Sequence, residues 1–174
     1  MSPIAHSGVA LLGWQVIATR KNAKSLGLFL LIANLPDIDF LLSLLFGQKR
    51  IFVHQYFTHN LIFVAATSVL VSLFLPRGRD RWGLLLIGFS HLVMDIFVID
   101  PVRPIGIRPF FPFSRALFNF GFFPYLERGR FHNATSMRNF LVLGLEAAVF
   151  VLPVLVLFGS KILRDIKSRA FWTA

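Results

Sequence analysis

Five apolar stretches, each near the length that crosses a lipid bilayer, constrain this chain more than any other feature of its sequence. They cover residues 3–19, 26–46, 59–75, 82–99 and 140–158. A helix crosses the hydrocarbon core with roughly 20 mostly apolar residues. The last three stretches therefore read as membrane helices, and the first as a segment that spans, tilts or re-enters. The second is interrupted by Asn34-Leu35-Pro36-Asp37-Ile38-Asp39 and reads as a helix broken at Pro36, since proline cannot donate to the helical ladder. The expected fold is all-α: a polytopic helical membrane protein with four or five membrane-embedded helices, forming one domain over residues 1–174.

Composition agrees. Apolar residues make up 56% of the 174 and charged residues 15%, where soluble domains run at roughly 45–50% and about 25%. Disorder is excluded, and the composition is not that of an ordinary water-soluble enzyme. The net charge of +10 would by itself suggest nucleic acid, but the basic residues lie between the apolar stretches. They read there as contacts to membrane lipids and as topology signals, not as a direct nucleic-acid surface. The first basic residue, Arg20, follows the first apolar stretch, the reverse of a signal peptide's order. Residues 101–139, rich in Phe and Arg, read as a loop lying at the bilayer surface. If every stretch crosses, one face collects ten basic residues and the other eight. The positive-inside rule makes the first face cytoplasmic.

Ionisable residues inside the apolar stretches carry the functional signal. A charge within a membrane costs about 2.5 kcal/mol or more and marks function by default. Here they are His6, Asp37, Asp39, His91, Asp95 and Glu146, with His54 and His59 at the start of the third stretch. The apolar stretches hold no lysine or arginine to pair with these carboxylates, so the acids are either protonated or bound to a cation. At about 1.5 Å of rise per residue, His6, Asp39, His59, His91, Asp95 and Glu146 all fall within roughly 13 Å of the non-cytoplasmic face. The other half of the bilayer is expected to be nearly bare of them. Such convergence argues for one site. With no cysteine in the chain, any metal must be held by His, Asp and Glu. That donor set suits Zn first, Mn or Fe next, as one or two ions.

The motifs divide as follows. His91 and Asp95, at i and i+4, leave the same helix face and either ligate a metal together or satisfy each other by a hydrogen bond. Asp37 and Asp39 diverge by roughly 200° on a regular helix, so one faces the site unless the backbone is unwound there. One of the two could also cap the helix that follows. Thr58 is the expected N-cap of the third helix. Glu146 reads as a metal ligand, a partner to a histidine, or a protonated group bonded to a neighbouring helix. His132 reads as solvated. The expected metal set is His6, Asp39, His54, His59, His91 and Asp95. Asp37 or Glu146 would take a proton from water, and Arg108 and Arg115 would bind a substrate phosphate.

The elements His6-Ser7-Gly8, Pro36-Asp37-Ile38-Asp39, His54-x-x-x-Thr58-His59, Ser90-His91-x-x-x-Asp95 and Gly106 with Pro112-Phe113-Ser114 resemble, in order and spacing, the membrane-bound metal-dependent hydrolases known as the YdjM-like, LexA-binding inner-membrane-associated family. The resemblance covers most of the chain. It implies a helical protein of the prokaryotic inner membrane with a metal-dependent hydrolase site. Two positions depart from the family's pattern: Gln55 replaces an arginine and Asn60 replaces a serine. The ligand types are more distantly similar to those of the helical zinc phospholipase C group.

The leading expectation is a membrane-embedded hydrolase of a phosphoester or lipid-like substrate, using metal-activated water. The competing ones are an ion- or proton-coupled transporter built on the same carboxylates, and a noncatalytic partner-binding membrane protein. The sequence is silent on oligomeric state.

Overall fold

The computed structural model describes residues 1–46, 55, 57–75, 78–99, 105–126 and 136–167. These residues are helical apart from connections and hold no β-strand beyond two isolated bridges, Val98 with Phe123 and Ile107 with Phe118.

Local chemistry starts and stops each helix. Helix α1 (Pro3–Ile17) has proline in its first turn, and its N-cap Ser2 accepts a hydrogen bond from the Ile4 amide. Proline has no N–H to waste there. Helix α2 (Ala23–Asn34) opens on a capping box between Asn22 and Ser25, which satisfies two otherwise orphaned amides. It ends where Pro36 enters a 3₁₀ turn, Leu35–Asp37, and α3 (Ile38–Phe46) resumes beyond the break. Helix α4 (Leu61–Ser72) is capped by the side chain of Asn60, which accepts from the Phe63 amide at 2.8 Å. The expected cap, Thr58, is displaced from that role because its hydroxyl donates to Asp39. Helix α5 runs Gly78–Ile96. Helix α6 (Met137–Glu146), a π-helical turn (Ala147–Val151) and α7 (Leu152–Lys167) form one continuous rod. The wide turn falls just before Pro153, whose missing N–H disrupts the regular ladder.

Helix α1 sits at the centre, against α2, α5 and the π turn, while α4 packs on α5. Trp14, Phe29, Ile32, Leu84 and Ile87 fill the middle of the bundle. The buried face of α1 is made of Ala5, His6, Gly8, Ala10, Gly13 and Trp14, whereas Leu12 and Val16 are exposed. The same inversion recurs on α4, where Ser68 and Ser72 are buried and Val69 and Leu70 exposed.

One helix, Met137–Arg164, is long and apolar enough to cross a bilayer; Leu61–Ser72 is apolar but shorter. Among the described residues the all-α class is borne out, and the count of four or five membrane-embedded helices is not confirmed by length and apolarity. Helix α1 has 15 residues and α2 has 12, and α5 carries Arg79, Asp80, Arg81, His91 and Asp95 within its 19. Proline ends α2, and charges at both ends of α5 limit its apolar length.

Gly8 explains how α1 meets the π turn. A Cβ at this position would stand 2.5 Å from the Phe150 carbonyl oxygen, so only glycine lets the two backbones touch. Gly8→Ala is expected to destabilise the protein by about 1–3 kcal/mol. Gly27→Ala, with nothing within 4 Å of the added methyl, should be neutral or slightly stabilising. Unfolding of the detergent-solubilised variants measures both, and the reverse ranking would contradict this packing.

Candidate metal centre

Helix ends bring the site together at one pole of the bundle. Asp37 closes the 3₁₀ turn after α2, His59 lies two residues before α4, and His91 and Asp95 occupy the last turns of α5. One ligand atom from each of these four comes within 4.8 Å of the others. His59 Nε2 is 3.4 Å from Asp37 Oδ1 and 3.2 Å from Asp95 Oδ2. His91 Nε2 is 3.7 Å and 3.3 Å from the same two oxygens, and the two Nε2 atoms are 3.2 Å apart. A tetrahedral ion bound at about 2.0–2.1 Å separates neighbouring ligand atoms by about 3.3–3.4 Å. Five of the six edges of the group thus lie near the length that such an ion requires.

Hydrogen bonds on the far sides of the imidazoles aim them inward. His91 Nδ1 is 2.7 Å from the Ala33 carbonyl, which accepts only, so Nδ1 carries a proton and points Nε2 at the group. Ala33 lies in the last turn of α2, where carbonyls lose their helical donors. His59 Nδ1 is 3.0 Å from Thr58 Oγ1 and 3.4 Å from Asp39 Oδ2. Thr58 itself donates to Asp39 at 2.7 Å, so its hydroxyl accepts from His59. Four electron-rich atoms face one another as a result. A proton relieves one pair of them at a time, whereas a cation at the centre contacts all four. The residues therefore fit a divalent metal.

Asp37 and Asp39 hold opposite sides of His59. Asp37 lies within the four-atom group. Asp39, expected among the ligands, lies behind the imidazole, where it also accepts from the Gln55 amide at 3.0 Å. His6 lies beside the group. Its ring stacks on His91 with centroids 3.8 Å apart, and its Nε2 is 3.4 Å from Asp95 Oδ1. The same oxygen accepts from the Met1 amino group. Asp95 thus turns one oxygen inward and one outward. Glu146, expected to act on water, is buried but lies outside the group. It accepts from the Ser2 amide at 3.1 Å and from the Ser2 hydroxyl, tying the start of α1 to the end of α6. His54 and His132 lie outside the described residues.

A family model described as YdjM inner membrane protein matches residues 1–164, which takes in every residue of the cluster. The chain belongs to the YdjM inner membrane protein family. No curated protein and no solved structure matches it.

Membership locates the protein in the inner membrane. Both departures noted in the sequence are accommodated by the geometry. Asn60 caps α4 as well as serine would, and Gln55 contributes its backbone amide, held at a φ of 69°. Arg108 is half-buried and Arg115 exposed. Their segment is docked at this pole by the Leu61 amide donating to the Pro109 carbonyl at 2.9 Å, and by Ile107 packing with Val64 and Leu92. Sequence reasoning missed the Ala33 carbonyl and the role of Ser2. Neither carries a charge, although Ser2-Pro3 at a helix start was a readable signal.

His91→Ala combined with Asp95→Ala is expected to abolish stoichiometric metal in the purified protein. Asp39→Asn should weaken affinity by about 10–100-fold, as loss of a carboxylate behind a ligating histidine does. Metal analysis and competition with a chelator report both. An Asp39→Asn protein with wild-type affinity would remove that carboxylate from the site.

Proposed function

We propose that this protein is a multi-pass, membrane-embedded metal-dependent hydrolase with its site toward the non-cytoplasmic side. The near-tetrahedral set of Asp37, His59, His91 and Asp95 atoms, with five of its six edges at 3.2–3.7 Å, is the observation that carries the proposal. The multi-pass reading is supported by the large apolar side chains exposed on the outer faces of α1 and α4, with small and polar residues sharing the interior with Trp14 and Val64, which suits helices packed in lipid. Exposed Phe110, Phe113, Phe120 and Phe122 at the cluster pole suit a loop resting in the interfacial layer.

A bound divalent cation would polarise an ester oxygen and acidify water. The protein's own groups divide the remaining work. His59, His91 and Asp95 are 0–1% exposed at their side chains, whereas Asp37 is 16% exposed. All four can hold the ion, and Asp37, the most open of them, stands on the side that water and substrate enter. From there its carboxylate accepts the proton of the attacking water. Asp39 and Thr58 fix the His59 ring, Ala33 and His6 fix the His91 ring, and Glu146 with Ser2 anchors α1 beneath them. Arg108 and Arg115 offer guanidinium groups to a phosphate. A phosphoester, including one on a lipid head group, is the substrate class that this arrangement fits best.

The test is hydrolysis of a phosphodiester by purified, Zn- or Mn-loaded protein in nanodiscs. Wild type should turn over, and Asp37→Asn should lower the rate by about 10²–10⁴-fold while keeping its metal. Absence of hydrolysis of any ester by metal-loaded wild type rules out the enzyme. If Asp37→Asn loses metal as completely as the His91→Ala, Asp95→Ala protein, holding the ion is its whole role and it is not the proton acceptor.

A further inference from the structure

The pole opposite the Asp/His group carries the basic connections that the sequence places on the cytoplasmic face. The α1–α2 connection, the end of α4 and the first turn of α5 enclose a pocket of about 330 Å³. Arg20, Lys24 and Arg81 line it. Leu73 and Phe74, 65% and 64% exposed, form its apolar wall. Asp80 is the single acid in the lining, and it is fully buried. Its Oδ1 accepts from the Thr19 amide and its Oδ2 from the Thr19 hydroxyl, each at 2.7 Å. The carboxylate is thus engaged in joining α1 to α5, and three cations against one engaged acid leave the pocket strongly positive.

The cations are positioned differently. Arg81 donates from Nε to the Leu75 carbonyl at 3.0 Å, which fixes its guanidinium at the α4–α5 connection. The side chains of Arg20 and Lys24 are exposed and make no hydrogen bond or ion pair with another described residue. Two uncommitted cations and one fixed guanidinium surround a cavity large enough for a small ligand. The apolar wall is continuous with the outer face of α4, where Val69 and Leu70 are also exposed.

We infer that this pocket binds the phosphate of an anionic phospholipid head group, with the acyl chains lying along Leu73, Phe74 and the outer face of α4. Positive charge selects the phosphate, and the wall of large apolar side chains selects a lipid over a free anion. Clusters of basic residues beside membrane helices attract anionic lipid by this means. The site shares no residue with the Asp/His group, so either can fail without the other.

Lipid retention by the whole protein tests this, with native mass spectrometry after reconstitution in mixed phosphatidylglycerol and phosphatidylcholine. Wild type should retain phosphatidylglycerol preferentially. Arg20→Gln with Lys24→Gln should lower that retention about tenfold, and Arg20→Lys with Lys24→Arg should restore most of it. Lys161→Gln with Arg164→Gln removes two exposed cations from α7 near the same pole, where Ile162 packs with Ala18 and Leu75. That pair should change retention less than twofold. Equal loss in both pairs, or no preference in wild type, overturns the pocket. Displacement of the lipid by millimolar inorganic phosphate would overturn the lipid assignment in favour of a soluble anion.

Discussion

Two imidazole nitrogens and two carboxylate oxygens, each directed at the same small volume, set the terms for the rest of this molecule. Left alone in a water-poor interior, four such atoms repel. Five of their six separations, 3.2–3.7 Å, are tolerable when positive charge lies among them. Much of the bundle can be understood as a device for holding that arrangement: Ala33 and Thr58 behind the rings, Asp39 behind Thr58, and His6 stacked across His91. Each support fixes a rotamer or a tautomer that a solvated histidine would leave free.

The supports are in turn products of helix ends. The 3₁₀ turn at Pro36 leaves the Ala33 carbonyl near the end of its ladder and swings Asp37 toward the site. Capping by Asn60 releases Thr58 to serve Asp39 and His59. Ser2 caps α1 and grips Glu146 at once, and Gly8 lets α1 lie directly on the π turn that follows. Among the described residues α6–α7 has the length and apolarity of an ordinary span, while α2 stops at Pro36 beside the site and α5 carries charge at both its ends.

Parts of this arrangement are legible from spacing. His91 and Asp95 must share a helix face, and Pro36 must break what precedes it. The identity of the carboxylate that meets His59 Nε2 is not legible, because a 3₁₀ turn rotates Asp37 and Asp39 differently from an α-helix. The same holds for Glu146. An acid in an apolar helix announces an unusual role, yet its partner, the start of the chain's first helix, is 144 residues away. The burial of Asp80 is not legible in the sequence, for the opposite reason. Set among arginines at a helix start, it reads as a solvated loop charge, and only the approach of Thr19 buries it.

Sequence by itself determined the helical class, the broken second segment, the membrane setting and the short roster of imidazoles and acids, because hydrophobic periodicity, proline and intramembrane charge act locally along the chain. Tertiary structure decided which of those groups meet, which stand behind them, and that a basic pocket forms at the far pole. Those outcomes depend on how helices separated by tens of residues pack against one another, and on backbone carbonyls and glycine contacts that leave no trace in residue type alone.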